Sequence, residues 1–283
     1  MWISYVYRKD VHEPEPKRAV LIALTFGFLC TIPALILSLP FVIFFSGMFV
    51  ATVIGAPLVE EFCKASGLPL VKSEMNAEMD GVIYGVTLGM GFAMVENFLY
   101  ELEFIFTDPA LWTFGSLLRG LGSTIGHGLG AGMIGYAYAA YIMDGKRPGA
   151  LLNVVFAYIA AVSLHALWNG VAYLTGESIL GLIVIILIAF AEVMILRALV
   201  SVARDKEMKR HILAASEHSF QVFKGGGEEK VQGGISTSQG TGNIGNPKGD
   251  FRCPSCQQAI EVPRDRLPTA FRCPICGALV NTH

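Results

Sequence analysis

Six apolar runs, each about 20 residues or longer, dominate the first 200 positions, at roughly 19–44, 47–70, 82–105, 118–142, 150–173 and 178–200. A helix rises about 1.5 Å per residue, so a run of that length crosses the hydrocarbon core of a bilayer. Composition agrees: 53% of residues are hydrophobic, 16% are charged, and the mean hydropathy is +0.53. The expected fold class is an all-α polytopic membrane protein of about six transmembrane helices. The first run follows a basic segment (Arg8, Lys9, Lys17, Arg18), is too long for a signal-peptide core and lacks a small-residue cleavage site, so it reads as a retained helix.

Net charge is only −2, but its distribution is informative. Lys and Arg gather before the first run, around the second connection (Lys64, Lys72), in the fourth (Lys146, Arg147) and after the sixth run (Arg204, Lys206, Lys209, Arg210). The connections "ELEFIFTDPALW" and "TGES" carry none. Six spans with both termini in the cytoplasm satisfy the positive-inside rule at every loop. The expected location is the cell membrane, with the bilayer itself as a partner.

The chain divides into a cytoplasmic N-terminal segment (1–18), a transmembrane domain (19–200), a polar, amphipathic extension (201–224), a flexible linker (225–249) and a small C-terminal domain (250–283). The linker is rich in Gly, Ser, Thr and Asn and cannot bury enough surface to fold. The last domain repeats "FRCPSC" and "FRCPIC". Cys253-x2-Cys256 and Cys273-x2-Cys276 form two thiolate knuckles that can close a tetrahedron around one zinc, predicting a β-rich zinc ribbon. About 34 residues cannot build a self-sufficient core, and a structural zinc supplies the missing folding energy. Two disulfides are the competing reading, disfavoured in a reducing compartment. Four protein ligands leave no open position for catalysis. Arg252, Arg264, Arg266 and Arg272 are offset by Asp250, Glu261 and Asp265, so the ribbon lacks the basic stripe that nucleic acid requires and is expected to dock protein. Cys30 and Cys63, inside predicted spans, read as packing residues.

Ionisable groups within a bilayer cost a few kcal/mol each, so each needs a partner or a purpose. The second run carries Glu60 and Glu61, the third Glu96 beside Asn97, the fourth His127, and the fifth His165 with Asn169. The run centres fall near residues 59, 94, 130 and 162, so Glu60, Glu96, His127 and His165 lie at similar depth. Four helices thus bring polar groups to one plane, where they can surround a water-holding cavity. Glu60 and Lys64 are spaced i,i+4 and can pair, leaving Glu61 to project about 100° away. His165 and Asn169 are spaced to point at one atom, and Phe92 shares a face with Glu96. A carboxylate and imidazoles in a dry cavity can hold a water, directly or through a metal, and take its proton as it attacks a carbonyl. Any one of these residues alone reads more readily as a helix–helix contact. The glycine rows Gly81, Gly85, Gly89 and Gly122, Gly126, Gly130 read as close-packing faces, and Arg119 as an interfacial anchor at the start of the fourth helix.

The motifs "EEFCK" (Glu60, Glu61, Lys64), "DGVIYGVTLGMGFAMVENFLY" (Asp80–Tyr100), "HGLGAGMIGYAY" from His127 and "HALWNG" from His165 resemble, in order, those of the PrsW-type intramembrane metalloproteases, distant relatives of the CAAX prenyl endopeptidases. The resemblance covers about residues 50–175. It implies hydrolysis of a membrane-associated protein within or near the bilayer, with a single-span protein such as an anti-sigma factor as substrate. It implies catalytic roles for Glu60, Glu61, Glu96, His127, His165 and Asn169: water activation by a glutamate, with Glu61 foremost, and an oxyanion steadied by His165 and Asn169. A catalytic divalent metal, zinc foremost, is implied in addition to the ribbon's zinc. Glu96 stands where the CAAX enzymes carry histidine, so prenylated substrates are not implied. Two other readings are compatible with the residues: an ion- or proton-coupled transporter or channel, for which the expected inverted repeat is not visible, and a membrane scaffold presenting the zinc ribbon.

Overall fold

The long apolar runs form helices. The computed structural model describes residues 1–10, 13–44, 47–102, 106–175, 178–225, 248–252, 259–263, 270–272 and 279–281. A short α1 (Trp2–Tyr7) precedes α2 (Lys17–Leu29) and α3 (Thr31–Phe44), which are separated only by Cys30. A short α4 (Met48–Val50), a π turn (Ala51–Gly55), α5 (Ala56–Ala65) and a 3₁₀ turn (Leu68–Glu74) follow. Then come α6 (Glu78–Glu101), α7 (Pro109–Leu121), α8 (Ser123–Met143), α9 (Pro148–Thr175) and α10 (Ile179–Gly225).

Among the described residues, four segments are long and apolar enough to cross a membrane: Lys17–Phe44, Glu78–Glu101, Pro148–Thr175 and Ile179–Ile212. The protein is an integral membrane protein. The run at 47–70 is broken, because Pro57 sits at the start of α5, where its ring and missing N–H disturb the preceding hydrogen-bond ladder, and the π turn absorbs the disturbance. The third connection, read as a loop from sequence, is partly helical. Asp108 starts α7 by accepting the Ala110 N–H on its side chain at 3.1 Å and the Trp112 N–H on its carbonyl at 2.9 Å. Outward faces of the bundle carry Leu37, Phe44, Leu152, Phe156, Leu180 and Phe190, all exposed, as a lipid-facing surface requires.

Helix α6 is the centre of the bundle, packed on α8, α2 and α1. All of its first sixteen residues are buried, and its partner α8 approaches at backbone contact. A Cβ on Gly81, Gly85 or Gly89 would fall on the carbonyl oxygen of Gly135, Ala131 or His127. These glycines are therefore a packing face, the small-residue contact typical of membrane helices. In the second row, Gly122 faces the Trp168 ring, Gly126 the Glu192 carboxylate and Gly130 the Glu61 carboxylate. Cys30 and Cys63 are buried with Ala34 and Phe92.

Two antiparallel hairpins lie in the C-terminal domain: β1 (Lys248–Arg252) with β2 (Ala259–Pro263), and β3 (Ala270–Arg272) with β4 (Leu279–Asn281). Cys253, Cys256, Cys273 and Cys276 lie outside the described residues, as does 226–247 of the linker expected at 225–249, whose ends fall in α10 and β1. The chain separates into two compact units, Met1–Glu207 and Met208–His283.

Candidate active site

Four helices deliver the site. Helix α5 supplies Glu60, Glu61 and Lys64, α6 supplies Glu96, α8 supplies His127 and α9 supplies His165. Glu61 and Lys64 are fully buried, and His127 is 4% exposed. The polar residues expected at one depth do converge.

Lys64 Nζ lies 2.5 Å from Glu61 Oε1 and 2.8 Å from His127 Nδ1. The lysine pairs with Glu61 at i,i+3, whereas the i,i+4 spacing had offered it Glu60. Both spacings bring side chains together on a helix, and here Glu61 turns inward toward α8 and α9. Glu61 Oε1 is also 2.9 Å from His165 Nδ1. His165 Nε2 faces Glu60 Oε2 at 3.6 Å, an oxygen without a hydrogen-bond partner. The two imidazoles meet edge to face at 4.8 Å between ring centres.

Glu96 is held from both sides. His127 Nε2 lies 2.5 Å from its Oε2, and the Arg119 guanidinium donates to its Oε1 at 3.1 Å. Arg119 Nε also donates to Asn97 Oδ1 at 3.0 Å, and the guanidinium stacks 4.0 Å above the Tyr100 ring. Arg119 is thus a site residue, where sequence reading had left it an interfacial anchor. Its signal was present: an arginine within an apolar run needs a buried partner, and Glu96 was the carboxylate on the neighbouring span. Phe92 covers the cluster, 5.4 Å from the His127 ring and 4.9 Å below Lys64 Nζ.

Asn169 lies elsewhere. Its Nδ2 donates to the Thr52 carbonyl in the π turn at 3.0 Å, so in this structure Asn169 and His165 do not aim at a common atom.

Glu60, His127 and His165 each offer a ligand atom, and these atoms lie within 4.8 Å of one another. One carboxylate and two imidazoles are a donor set suited to a catalytic zinc, and the unpartnered Glu60 oxygen fits a ligand position. His127 would give up one of its two present contacts to join them. Glu60 and Glu96 also line a cavity of about 290 Å³, and Glu61 does not.

Carboxylates and imidazoles gathered between membrane-length helices define an integral membrane protein with a shielded site able to hold a divalent metal. The family described as PrsW family intramembrane metalloprotease matches residues 15–202, a region that includes α2 to α9 and the first part of α10. The chain belongs to that family. The Protease PrsW of Geobacillus kaustophilus (strain HTA426) is 33% identical over 107 residues, which make up 35% of this chain and 47% of that protein. The chain therefore spans about half the length of this curated relative. No solved structure matches the present chain.

Proposed function

We propose that the chain is an intramembrane endopeptidase that hydrolyses peptide bonds of membrane-associated proteins within or near the bilayer. The observation that carries this reading is that Glu60 and Glu96 line one cavity, with His127 in contact with Glu96 and His165 facing Glu60. Family membership supports it.

Glu60, His127 and His165 would hold a divalent metal, with zinc the best match to the donors, and it would supply Lewis-acid polarisation of the substrate carbonyl. The chain's own groups do the rest. Glu96 faces the cavity and takes the proton of the attacking water. His127 Nε2, 2.5 Å from its Oε2, steadies the carboxylate that carries that proton. As the C–N bond breaks, the proton passes to the departing nitrogen, leaving an acid and an amine. Arg119 fixes Glu96 so that this exchange keeps its geometry. Glu61 accepts from His165 Nδ1–H, which sets the tautomer and leaves Nε2 facing Glu60. Lys64 offsets the Glu61 charge, and Asn169 ties α9 to the π turn.

In this reading the membrane domain has six spans, with α2–α3, α4–α5, α6, α8, α9 and α10 as the crossings and both termini cytoplasmic. The 21 residues of α8 reach about 30 Å, enough to cross. The C-terminal domain is a zinc ribbon whose four cysteines hold a structural zinc. Its role is to dock a protein partner, and the substrate class is a single-span membrane protein, anti-sigma factors among them.

The test uses purified full-length chain in proteoliposomes with a panel of single-span membrane proteins. Cleavage is expected from wild type and should fall by about 100-fold or more in Glu60→Gln, Glu96→Gln, His127→Ala and His165→Ala. Activity that survives these changes would sink the assignment of the site. Proton flux that depends on the same residues, without cleavage, would favour a transporter. Metal analysis should find two zinc ions per chain and one after deletion of residues 250–283.

A further inference from the structure

The cavity beside the carboxylates is walled by three helix faces. Thr31, Ala34 and Ser38 come from α3 at i, i+3 and i+7, and Ala56 stands one turn before Glu60 on α5. On α6, Leu99 and Tyr100 continue the face of Glu96. The inner end is therefore the proposed catalytic cluster. At the outer end Leu35, Leu99 and Tyr100 are 55%, 43% and 53% exposed, on the surface that the bundle turns to lipid.

Thr31 is the residue without an explanation. It is 2% exposed, and its hydroxyl has no hydrogen-bond partner. A threonine in a helix usually donates to a carbonyl three or four residues back. Thr87, Thr113 and Thr175 do so here, to Ile83, Pro109 and Val171. The carbonyl four residues before Thr31 belongs to Gly27 and accepts instead from the Cys30 thiol at 3.3 Å. A buried hydroxyl left unsatisfied at a cavity wall is costly unless a ligand completes it.

The cavity, of about 290 Å³, is of a size for a short stretch of extended chain. A membrane-spanning helix satisfies its backbone internally, and attack on one of its carbonyls requires that this ladder open, freeing N–H and C=O groups in a medium without water. A hydroxyl, both donor and acceptor, serves either freed group.

We propose that this cavity receives an unwound stretch of a membrane-spanning substrate from the lipid side, between α3 and α6. Thr31 Oγ1 bonds the freed backbone beside the carboxylates, and Ala34 and Ser38 set the size of side chain admitted. The proposal rests on the intramembrane-protease reading and names its substrate site.

The experiment places a photoreactive p-benzoylphenylalanine at Ser38 of the full-length chain in proteoliposomes. The probes are synthetic single-span peptides, rich in Leu and Ala, with a central Pro-Gly and one neighbouring position varied through Ala, Leu and Trp. Crosslinking and cleavage are read separately. Expected is a crosslink to the central positions of the Ala and Leu peptides, reduced for Trp and lost when Ala34→Leu or Ala34→Phe fills the cavity. In the chain without the photoreactive residue, Thr31→Val, which keeps the shape and removes the hydroxyl, should lower kcat/KM about tenfold, and Thr31→Ser should restore it. No crosslink, a crosslink indifferent to both Ala34 variants, or full cleavage by Thr31→Val would each overturn the proposal. A crosslink that Ala34→Phe abolishes, in a wild type that cleaves no peptide, would uphold the cavity while the protease reading fails.

Discussion

Lys64 Nζ sits 2.5 Å from Glu61 Oε1, with both side chains sealed from solvent. The pair fixes which of the two adjacent glutamates is neutralised, because Glu60, at the cavity, keeps an oxygen without a hydrogen-bond partner. Removing one member of a buried pair strands the other charge, whereas removing both need not. Lys64→Met and Glu61→Gln should each destabilise the protein by about 3–5 kcal/mol. The double variant should cost less than the sum of the two. Unfolding in detergent micelles across the double-mutant cycle measures the difference, and strict additivity would show that the pair is not coupled.

Arg119 is predicted to act on rate and not on substrate binding. Arg119→Lys keeps a positive charge but cannot span both Glu96 and Asn97 while lying flat on Tyr100. A roughly tenfold fall in kcat is expected for Lys and roughly a hundredfold for Ala, with KM nearly constant. A rise in KM at unchanged kcat would instead place Arg119 in substrate binding.

The contact between α6 and α8 leaves no room for a methyl group at Gly85, whose Cβ would overlap the Ala131 carbonyl oxygen. Gly85→Ala is expected to cost about 3 kcal/mol or more, by forcing two buried backbones apart. Gly149→Ala, where nothing lies within 4 Å, should be neutral or slightly stabilising. Thermal unfolding of the two variants side by side makes the comparison.

At the start of α2, Glu15 is buried against Asp80, Asp10 and Tyr84, and the Tyr84 hydroxyl donates to it. Burial foremost, then the Asp80 side chain, pushes its carboxyl up to about 9. A group whose pKa is raised on folding is held in its protonated form by the native state. Its contribution to stability is complete below about pH 4.5 and is lost progressively as pH rises toward 9. Protease sensitivity of the N-terminal segment should therefore increase between pH 6 and 9, and Glu15→Gln should flatten that rise. An unchanged slope in the variant would assign the effect to another group.

Much of this architecture could be read from the chain. The runs that became α6, α9 and α10 were apolar and uninterrupted, and length alone set their state. His127, His165, Glu60 and Glu96 could be brought together by depth, since a buried charge in a membrane needs a partner. Depth does not give azimuth, however. Whether Lys64 chose Glu60 or Glu61 depended on how α5 turns against α8 and α9, and i,i+3 and i,i+4 spacings are equally legible in sequence. Arg119 was hidden for a related reason: its partners lie on another helix, and α7 was not visible as a separate element. Asn169 kept the spacing of a site residue but found the Thr52 carbonyl, which became available only because the second run is broken.

The π turn at Ala51–Gly55 has a consequence for the whole site. It winds one extra residue into the backbone just before α5, so it works as the phase setting of that helix. Successive helical residues are offset by about 100°, and Glu60 and Glu61 are adjacent. Deleting one residue from Ala51–Gly55 would turn α5 by that angle, bringing Glu61 to the place Glu60 holds at the cavity and Glu60 to that of Val59. Which glutamate of the α5 pair reaches the cavity is thus written in the register of a five-residue turn that lies outside the cavity's lining.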